Sequence, residues 1–151
     1  MKNYRIRRMS PGHENIDQVQ KMDDFMFGPH CRWLDYTNTE WFVAYEHGAP
    51  WLNPVAYAGV QWLNETEAFF CRAGVLDDHR GQGLHLQLIR KRYNLCRDLG
   101  IKKIYTYTTC DNIWSMRNLI SNKFRPCLCP GRHQGTELAV GEDVVYWTKH
   151  I

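Results

Sequence analysis

The segment with the clearest chemical potential is Arg80-Gly81-Gln82-Gly83-Leu84, which lies between a hydrophobic run at 68–76 and a long helical pattern. That order places several backbone N–H groups at the start of a helix, where they can hold a diphosphate. Glycine matters there because a Cβ atom would block a phosphate from approaching the backbone. The glycine pair at a strand-to-helix junction therefore predicts a diphosphate-binding loop.

This loop resembles the signature of the Gcn5-related N-acetyltransferase (GNAT) superfamily, which binds acetyl-CoA. The signature has Gln or Arg, two residues, Gly, one residue, and then Gly or Ala. Arg80 and Gly83 match it, whereas His85 stands where the family has a very small residue. A second stretch is similar to the family's next helix: Asn112-x-x-Ser115 followed by Leu119-Ile120-x-x-Lys123-Phe124.

The resemblance implies a set of cofactor contacts at the end of the fourth strand, in the loop and at the start of the later helix. These are Gly74, Val75, Leu76, Arg80, Gly81, Gln82, Gly83, Leu84, His85, Asn112 and Ser115. A backbone N–H near the end of the fourth strand can polarise the thioester carbonyl, and Val75 is our candidate for it. Asn112 can also cap its helix, and the two roles are compatible.

The general acid is assigned to Tyr107. Many family members use a tyrosine on the helix after the fifth strand to protonate the leaving thiolate, but Leu119 stands at that position here. Tyr105 and Tyr107 share one face of the fifth strand, and Tyr107 is closer to the strand's C-terminal end. The alternatives are that both are aromatic residues of the sheet and that solvent supplies the proton.

The general base stays open. An alkylamine with a pKa of about 10.4 must lose a proton before it attacks, often to a chain of waters. Some relatives have a carboxylate on the fourth strand, but 68–73 contains none. Four other residues are candidates, each of which can instead be a surface or helix-capping residue: Glu65, Glu67, His79 and Asp111.

The segment after the first helix shapes the acceptor pocket in this family. Trp33, Asp35 and Tyr36 fall in it, and an acidic and aromatic rim would suit a cationic amine. The acceptor that we expect is an amine on a small molecule, a peptide or a protein. The net charge of +3 is too small to indicate nucleic-acid binding by itself.

Cys127-x-Cys129, with His133 nearby, invites a metal interpretation. The spacing is shorter than in a Cys-x-x-Cys knuckle and no second pair stands close, so we predict no metal site. The six cysteines show no small disulfide framework and indicate reduced thiols in a cytoplasmic protein. No apolar run of about 18 residues is present, and the basic N-terminus lacks the apolar region of a secretory signal.

Apolar periodicity predicts the elements that must position these residues. We expect strands at 4–9, 41–46, 55–63, 68–76 and 101–109, helices at 16–26, 83–99 and 112–123, and a final hairpin from 126–129 and 144–151. The second helix should bury Leu84, Leu88, Leu95 and Leu99, with Arg92 interrupting its stripe, and the third should bury Ile113, Met116, Leu119 and Ile120. The segment 30–40 should form a short helix or loop.

This order predicts an α/β (α+β) fold with a mixed, mostly antiparallel sheet of six to seven strands and helices on both faces. By analogy with the family, the central parallel strands ending at Leu76 and Thr109 should splay apart to admit the pantetheine arm. The length of 151 residues suits a single domain, 1–151, as a monomer or homodimer.

The function expected is an acetyl-CoA-dependent N-acetyltransferase that moves the acetyl group directly to an amine in a ternary complex. Two alternatives remain. The same scaffold can modify an amine of a nucleotide or nucleic acid, and it can also serve as a non-catalytic acyl-CoA-binding domain, because fold alone does not determine function.

Overall fold

The computed structural model describes residues 2–28, 38–50, 53–130 and 143–151. Strands in these ranges are β1 (Tyr4–Met9), β2 (Glu40–Glu46), β3 (Pro54–Trp62), β4 (Glu67–Val75), β5 (Lys103–Thr109), β6 (Arg125–Cys127) and β7 (Val144–His150). Helices are α1 (Ile16–Phe27), α2 (Leu84–Asp98) and α3 (Ile113–Ser121). These bounds agree with the sequence-based ones to within a few residues. The segment 30–37 lies outside the described residues.

The strands form one seven-stranded sheet in the order β1-β2-β3-β4-β5-β7-β6. β4 and β5 are parallel, because α2 carries the chain back to the edge where β4 began. The other neighbouring pairs are antiparallel, and β6 and β7 form the predicted final hairpin. The prediction of a mixed, mostly antiparallel sheet is confirmed.

The parallel pair comes apart along its length. The register between β4 and β5 runs from Glu67–Lys103 to Phe69–Tyr105 and then stops, although β4 continues to Val75 and β5 to Thr109. One side-chain bond follows, in which the Thr106 hydroxyl donates to the Phe70 carbonyl over 2.9 Å. Beyond it a gap opens at the C-terminal edge of both strands.

Each face of the sheet carries its own core. On one face, α1 packs Val19 and Met22 against Trp41, Tyr57 and Phe69. On the other face, α2 and α3 cover the core that contains Leu84, Leu88, Ile89, Ile104, Leu119 and Trp147. The helices therefore lie on both faces, as predicted, and the N-terminal ends of α2 and α3 lie at the edge where β4 and β5 diverge.

Arg92, which interrupts the apolar stripe of α2, is 3% exposed. Its guanidinium donates to the carbonyls of Gly59 and Cys71, which pair beside a bulge between β3 and β4, and it lies 4.3 Å from the Phe70 ring centroid. Burial lowers the pKa of Arg92 to about 10, so the side chain stays charged at neutral pH. The buried charge is compatible with this core because the guanidinium donates hydrogen bonds to carbonyls that the irregular strand pairing places there.

Some predicted core positions were wrong. Leu99 is 56% exposed at the end of α2, and on α3 Ile113 and Ile120 are 64% and 57% exposed. The reason is that α3 is only nine residues long and contacts the sheet through a narrow stripe in which Leu119 is buried. Ile113 and Ile120 lie on a neighbouring face of α3 that the sheet does not cover.

Candidate active site

The loop between β4 and α2 has the geometry of an open anion cradle. After a 3₁₀ turn at Asp77–His79, Gly81 and Gly83 adopt φ of 71° and 75°. A Cβ atom at either glycine would meet nothing within 4 Å, so the space in front of the backbone is open. Gly83 is the N-cap residue of α2 and makes no side-chain cap. The first turn of α2 holds no acidic residue. The N–H groups there suit an anion.

Arg80 is tied back onto this loop. Its Nε donates to the Val75 carbonyl over 3.2 Å, and its Nη2 lies 3.0 Å from the Asp77 carboxylate. The side chain is 64% exposed, so it remains accessible from solvent. Arg80 therefore connects the end of β4 to the loop, and Asp77 partly neutralises the charge that it brings there.

The end of β4 fits closely beneath α1. A Cβ atom on Gly74 would lie 2.6 Å from Met26 Sδ and 2.7 Å from Tyr57 Cε1, so only glycine fits without displacement. Val75 follows on the stretch of β4 that is not paired with β5. Leu76 follows the end of the strand, and its N–H donates to the Val55 carbonyl over 2.9 Å. Three of the predicted contacts thus border the gap.

A cleft of about 570 Å³ lies between the end of α1 and the turn after β4. Its walls are Phe25, Met26, Leu76, Asp77, Asp78, His79 and Arg80. The His79 imidazole is half-buried there, and its Nδ1 lies 3.1 Å from the Tyr4 hydroxyl. His79 is therefore a wall of the cleft rather than a fully exposed surface residue.

The two tyrosines of β5 differ in their surroundings. Tyr105 is 9% exposed, and its hydroxyl donates to Glu67 over 3.4 Å at the N-terminal end of β4. Tyr107 is half-buried and stacks on Phe69, with the ring centroids 6.1 Å apart. Phe69 is the last residue of β4 that pairs with β5. Tyr107 is thus the tyrosine next to the gap.

Two contacts define the start of α3. The Asn112 carboxamide oxygen accepts the Ser115 N–H over 3.1 Å, so Asn112 is the helix cap, as the sequence allowed, and the capping role considered for Asp111 is wrong. Asn118 Nδ2 lies 3.0 Å from His85 Nδ1 in the first turn of α2. Burial and the Arg92 charge lower the pKa of His85 to about 4, so the neutral ring accepts this bond. His85 thereby joins α2 to α3.

The candidate bases are spread over the molecule. Glu65 is exposed in the turn before β4, and Glu67 bonds to Tyr105 and Asn64 at the same end of the strand. Both lie at the edge of the sheet opposite the cradle. Asp111 is exposed just beyond β5, at the cradle edge. Of the four candidate bases, only His79 and Asp111 lie at the same edge of the sheet as the cradle.

A buried polar cluster under α1 was missed from the sequence. Asp23 has no exposed surface, accepts a hydrogen bond from the Tyr57 hydroxyl, and lies 3.8 Å from Arg72 Nε. The available signal was the position of Asp23, four residues after the buried Val19 on the apolar face of α1. The cluster ties α1 to β3 and β4 immediately beside Gly74.

The other residues singled out from the sequence lie partly within and partly outside the described ranges. Within the described ranges, no three side chains of metal-binding type come together. Cys127 is half-buried and Cys129 exposed, whereas His133, Trp33, Asp35 and Tyr36 lie outside the described residues. The five described cysteines are thiols. None of the described helices is long and apolar enough to cross a bilayer.

Solved structures share this fold at low sequence identity. IAA acetyltransferase from Bacillus cereus matches with a TM-score of 0.72 and 12% identity, covering 99% of this chain and 100% of that one. The ribosomal-protein-S18-alanine N-acetyltransferase from Escherichia coli matches at 0.70 and 14%, covering 97% and 94%. Arabidopsis thaliana NAA60 matches at 0.72 and 11%, covering 98% of each chain.

A search of curated protein sequences found no match. The family model described as Acetyltransferase (GNAT) family matches residues 7–119, a stretch that runs from β1 to the buried Leu119 of α3. This stretch contains the cradle, the diverging strands, all of α2 and most of α3. The chain therefore belongs to the GNAT acetyltransferase family.

Proposed function

We propose that this protein is an acetyl-CoA-dependent N-acetyltransferase that transfers the acetyl group directly to an amine in a ternary complex. The observation that carries the proposal is the combination of two features at one edge of the sheet. The strands β4 and β5 diverge after Phe69 and Tyr105, and the open cradle at Gly81 and Gly83 lies beside that divergence. An extended acyl carrier with a diphosphate fits this combination.

The chain's own residues have distinct roles in this proposal. The backbone of 81–85 and the start of α2 hold the diphosphate, with Arg80 as a nearby cation. Asn112 and Ser115 order the start of α3 beside the arm. Gly74, Val75 and Leu76 border the arm, and the Val75 N–H donates to the carbonyl oxygen of the acyl group. Bound acetyl-CoA supplies the activated acetyl thioester.

Proton transfers complete the reaction. We assign protonation of the leaving sulfur to Tyr107, whose ring lies against Phe69 at the gap. Removal of the amine proton is assigned to water in the cleft, because Glu67 is bonded to Tyr105 at the opposite edge of the sheet. His79 lines that cleft together with Asp77 and Asp78, and we assign its imidazole to accept the proton from water.

The acceptor that we propose is an amine on a small molecule or a protein. The solved relatives include an enzyme whose name gives a protein alanine as its substrate, the S18-alanine N-acetyltransferase. We further propose that residues 1–151 form a single cytoplasmic domain. The thiol state of the described cysteines agrees with that location.

One observation favours a second candidate, a non-catalytic acyl-CoA-binding domain. Leu119, which stands at the position of the usual acid, is 4% exposed and packs into the core. Release of CoA from acetyl-CoA in the presence of amines separates the two functions. We expect amine-dependent release from a panel of small amines and peptides with free N-termini. Tight binding with no release for any acceptor would favour the non-catalytic domain.

The cradle is tested by Gly83→Val. The new side chain would occupy the space open to phosphate oxygens, and we expect CoA affinity, measured by calorimetry, to fall by at least about tenfold. Gly100→Val is the matched control, because Gly100 has a similar φ of 78° and equally open surroundings beyond the far end of α2. Equal CoA affinity of the two folded variants would contradict this assignment.

A further inference from the structure

Trp114 is an exposed tryptophan in the first turn of α3. Its side chain is 76% exposed, although a large aromatic surface in water costs free energy that burial would recover. The Arg117 guanidinium lies 5.3 Å from the centroid of its ring and covers one face. The other face of the indole is therefore available as a flat platform, backed by a cation.

The position of this platform follows from the contact between α2 and α3. Asn118 reaches His85, in the first turn of α2, over 3.0 Å. Trp114 precedes Asn118 by four residues, so it lies about 40° around the helix and about 6 Å closer to the helix start. Both helices begin at the edge of the diverging strands. Trp114 thus stands beside the helix that carries the cradle, about one turn nearer to the cradle edge of the sheet than the Asn118–His85 contact.

The chemistry of the platform suits a nucleobase. A purine has a flat π face that stacks on indole irrespective of hydrogen-bonding pattern, and a guanidinium behind the indole adds a favourable electrostatic contribution. A diphosphate held at 81–85 places the nucleoside attached to it within reach of α3. We infer that Trp114, supported by Arg117, binds the adenine ring of the acyl carrier, an assignment that rests on the proposed function.

The test compares two ligands on one variant. CoA carries the adenosine moiety, whereas 4′-phosphopantetheine retains the arm without it. By calorimetry, Trp114→Ala should weaken CoA binding by about tenfold and change 4′-phosphopantetheine binding by less than about twofold. Trp114→Phe, which keeps an aromatic face, should recover part of the loss. Leu99→Ala is the control, because it removes an exposed apolar side chain from the far end of α2.

The outcomes separate the inference from the proposed function. A Trp114→Ala protein with unchanged CoA affinity, or with equal losses for both ligands, would overturn the adenine site while leaving the acetyltransferase proposal intact. The second result would mean that Trp114 acts by ordering α3. A wild-type protein that binds neither CoA nor 4′-phosphopantetheine would overturn the proposed function and this inference with it.

Discussion

At the scale of single residues, the gap between β4 and β5 gives different contacts to two side chains whose positions in the sequence look equivalent. Tyr105 and Tyr107 alternate identically along β5, yet Tyr105 donates to Glu67 and Tyr107 stacks on Phe69. The difference arises because the strands are paired around Tyr105 and apart after it. A phenol at Tyr107 therefore borders the space where we propose the thioester.

The role of Tyr107 is tested by Tyr107→Phe. If the phenol protonates the leaving thiolate, kcat should fall by about 10²-fold while CoA affinity stays within about twofold, because the ring and its stacking remain. The measurement is steady-state CoA release with the best acceptor from the amine panel. Tyr105→Phe is the matched control on the same face. A Tyr107→Phe enzyme with near-normal kcat would indicate that solvent supplies the proton.

At the scale of elements, His85 is the contact that joins α2 to α3. The family signature has a very small residue at this position, where the imidazole instead accepts from Asn118. Because burial and Arg92 hold the pKa of His85 near 4, the ring is neutral when the protein is folded at physiological pH. The joint between the two helices is therefore sensitive to acid.

The stability of this joint should depend on pH with a defined sign. In the unfolded chain His85 binds a proton below about pH 6.5, whereas the folded protein excludes it until about pH 4. The free energy that the neutral His85 contributes to folding is fully present above about pH 6.5 and is lost as the pH falls towards 4. Since the ring keeps some solvent contact, we expect the loss to be about 2 kcal/mol.

His85→Gln is the comparison for this prediction, because glutamine keeps an acceptor for Asn118 and does not titrate. Urea denaturation of both proteins between pH 7 and 4.5 provides the measurement. The difference in unfolding free energy should shift in favour of His85→Gln as the pH falls. Parallel pH curves for the two proteins would show that His85 does not titrate differently on folding.

At the scale of the whole molecule, Arg92 links the helix layer to the irregular centre of the sheet. Its bonds to Gly59 and Cys71 satisfy carbonyls next to the bulge, beside the core that contains Ile89, Ile104 and Trp147. Loss of these charge-assisted bonds would remove the Arg92 donor from two buried carbonyls, which costs about 1–3 kcal/mol for each bond. The fold thus depends on a buried cation.

Arg92→Met is the corresponding test, because it retains the apolar stem and removes the donors. We expect the free energy of unfolding, from chemical denaturation at pH 7, to fall by about 3 kcal/mol. Arg90→Met is the control on the exposed face of the same helix and should change it by less than about 0.5 kcal/mol. Similar losses in both variants would exclude a special role for Arg92.

Local sequence signals determined most of the element order and the location of the cradle. Alternation of apolar residues marked the strands, 3.6-residue spacing marked the helices, and Gly81 and Gly83 at a strand-to-helix junction marked the loop. These signals are reliable because they depend on backbone geometry within a few residues. The family resemblance then supplied the sheet topology and the divergence of its central strands.

Contacts between distant residues were decided by the tertiary structure alone. The burial of Asp23 depends on Tyr57 and Arg72, which approach it only when α1 packs across β3 and β4. The exposure of Ile113 and Ile120 depends on how little of α3 the sheet covers. The apolar pattern of a short helix records which faces are hydrophobic. Which of those faces meets the sheet is set by packing against strands far away in sequence.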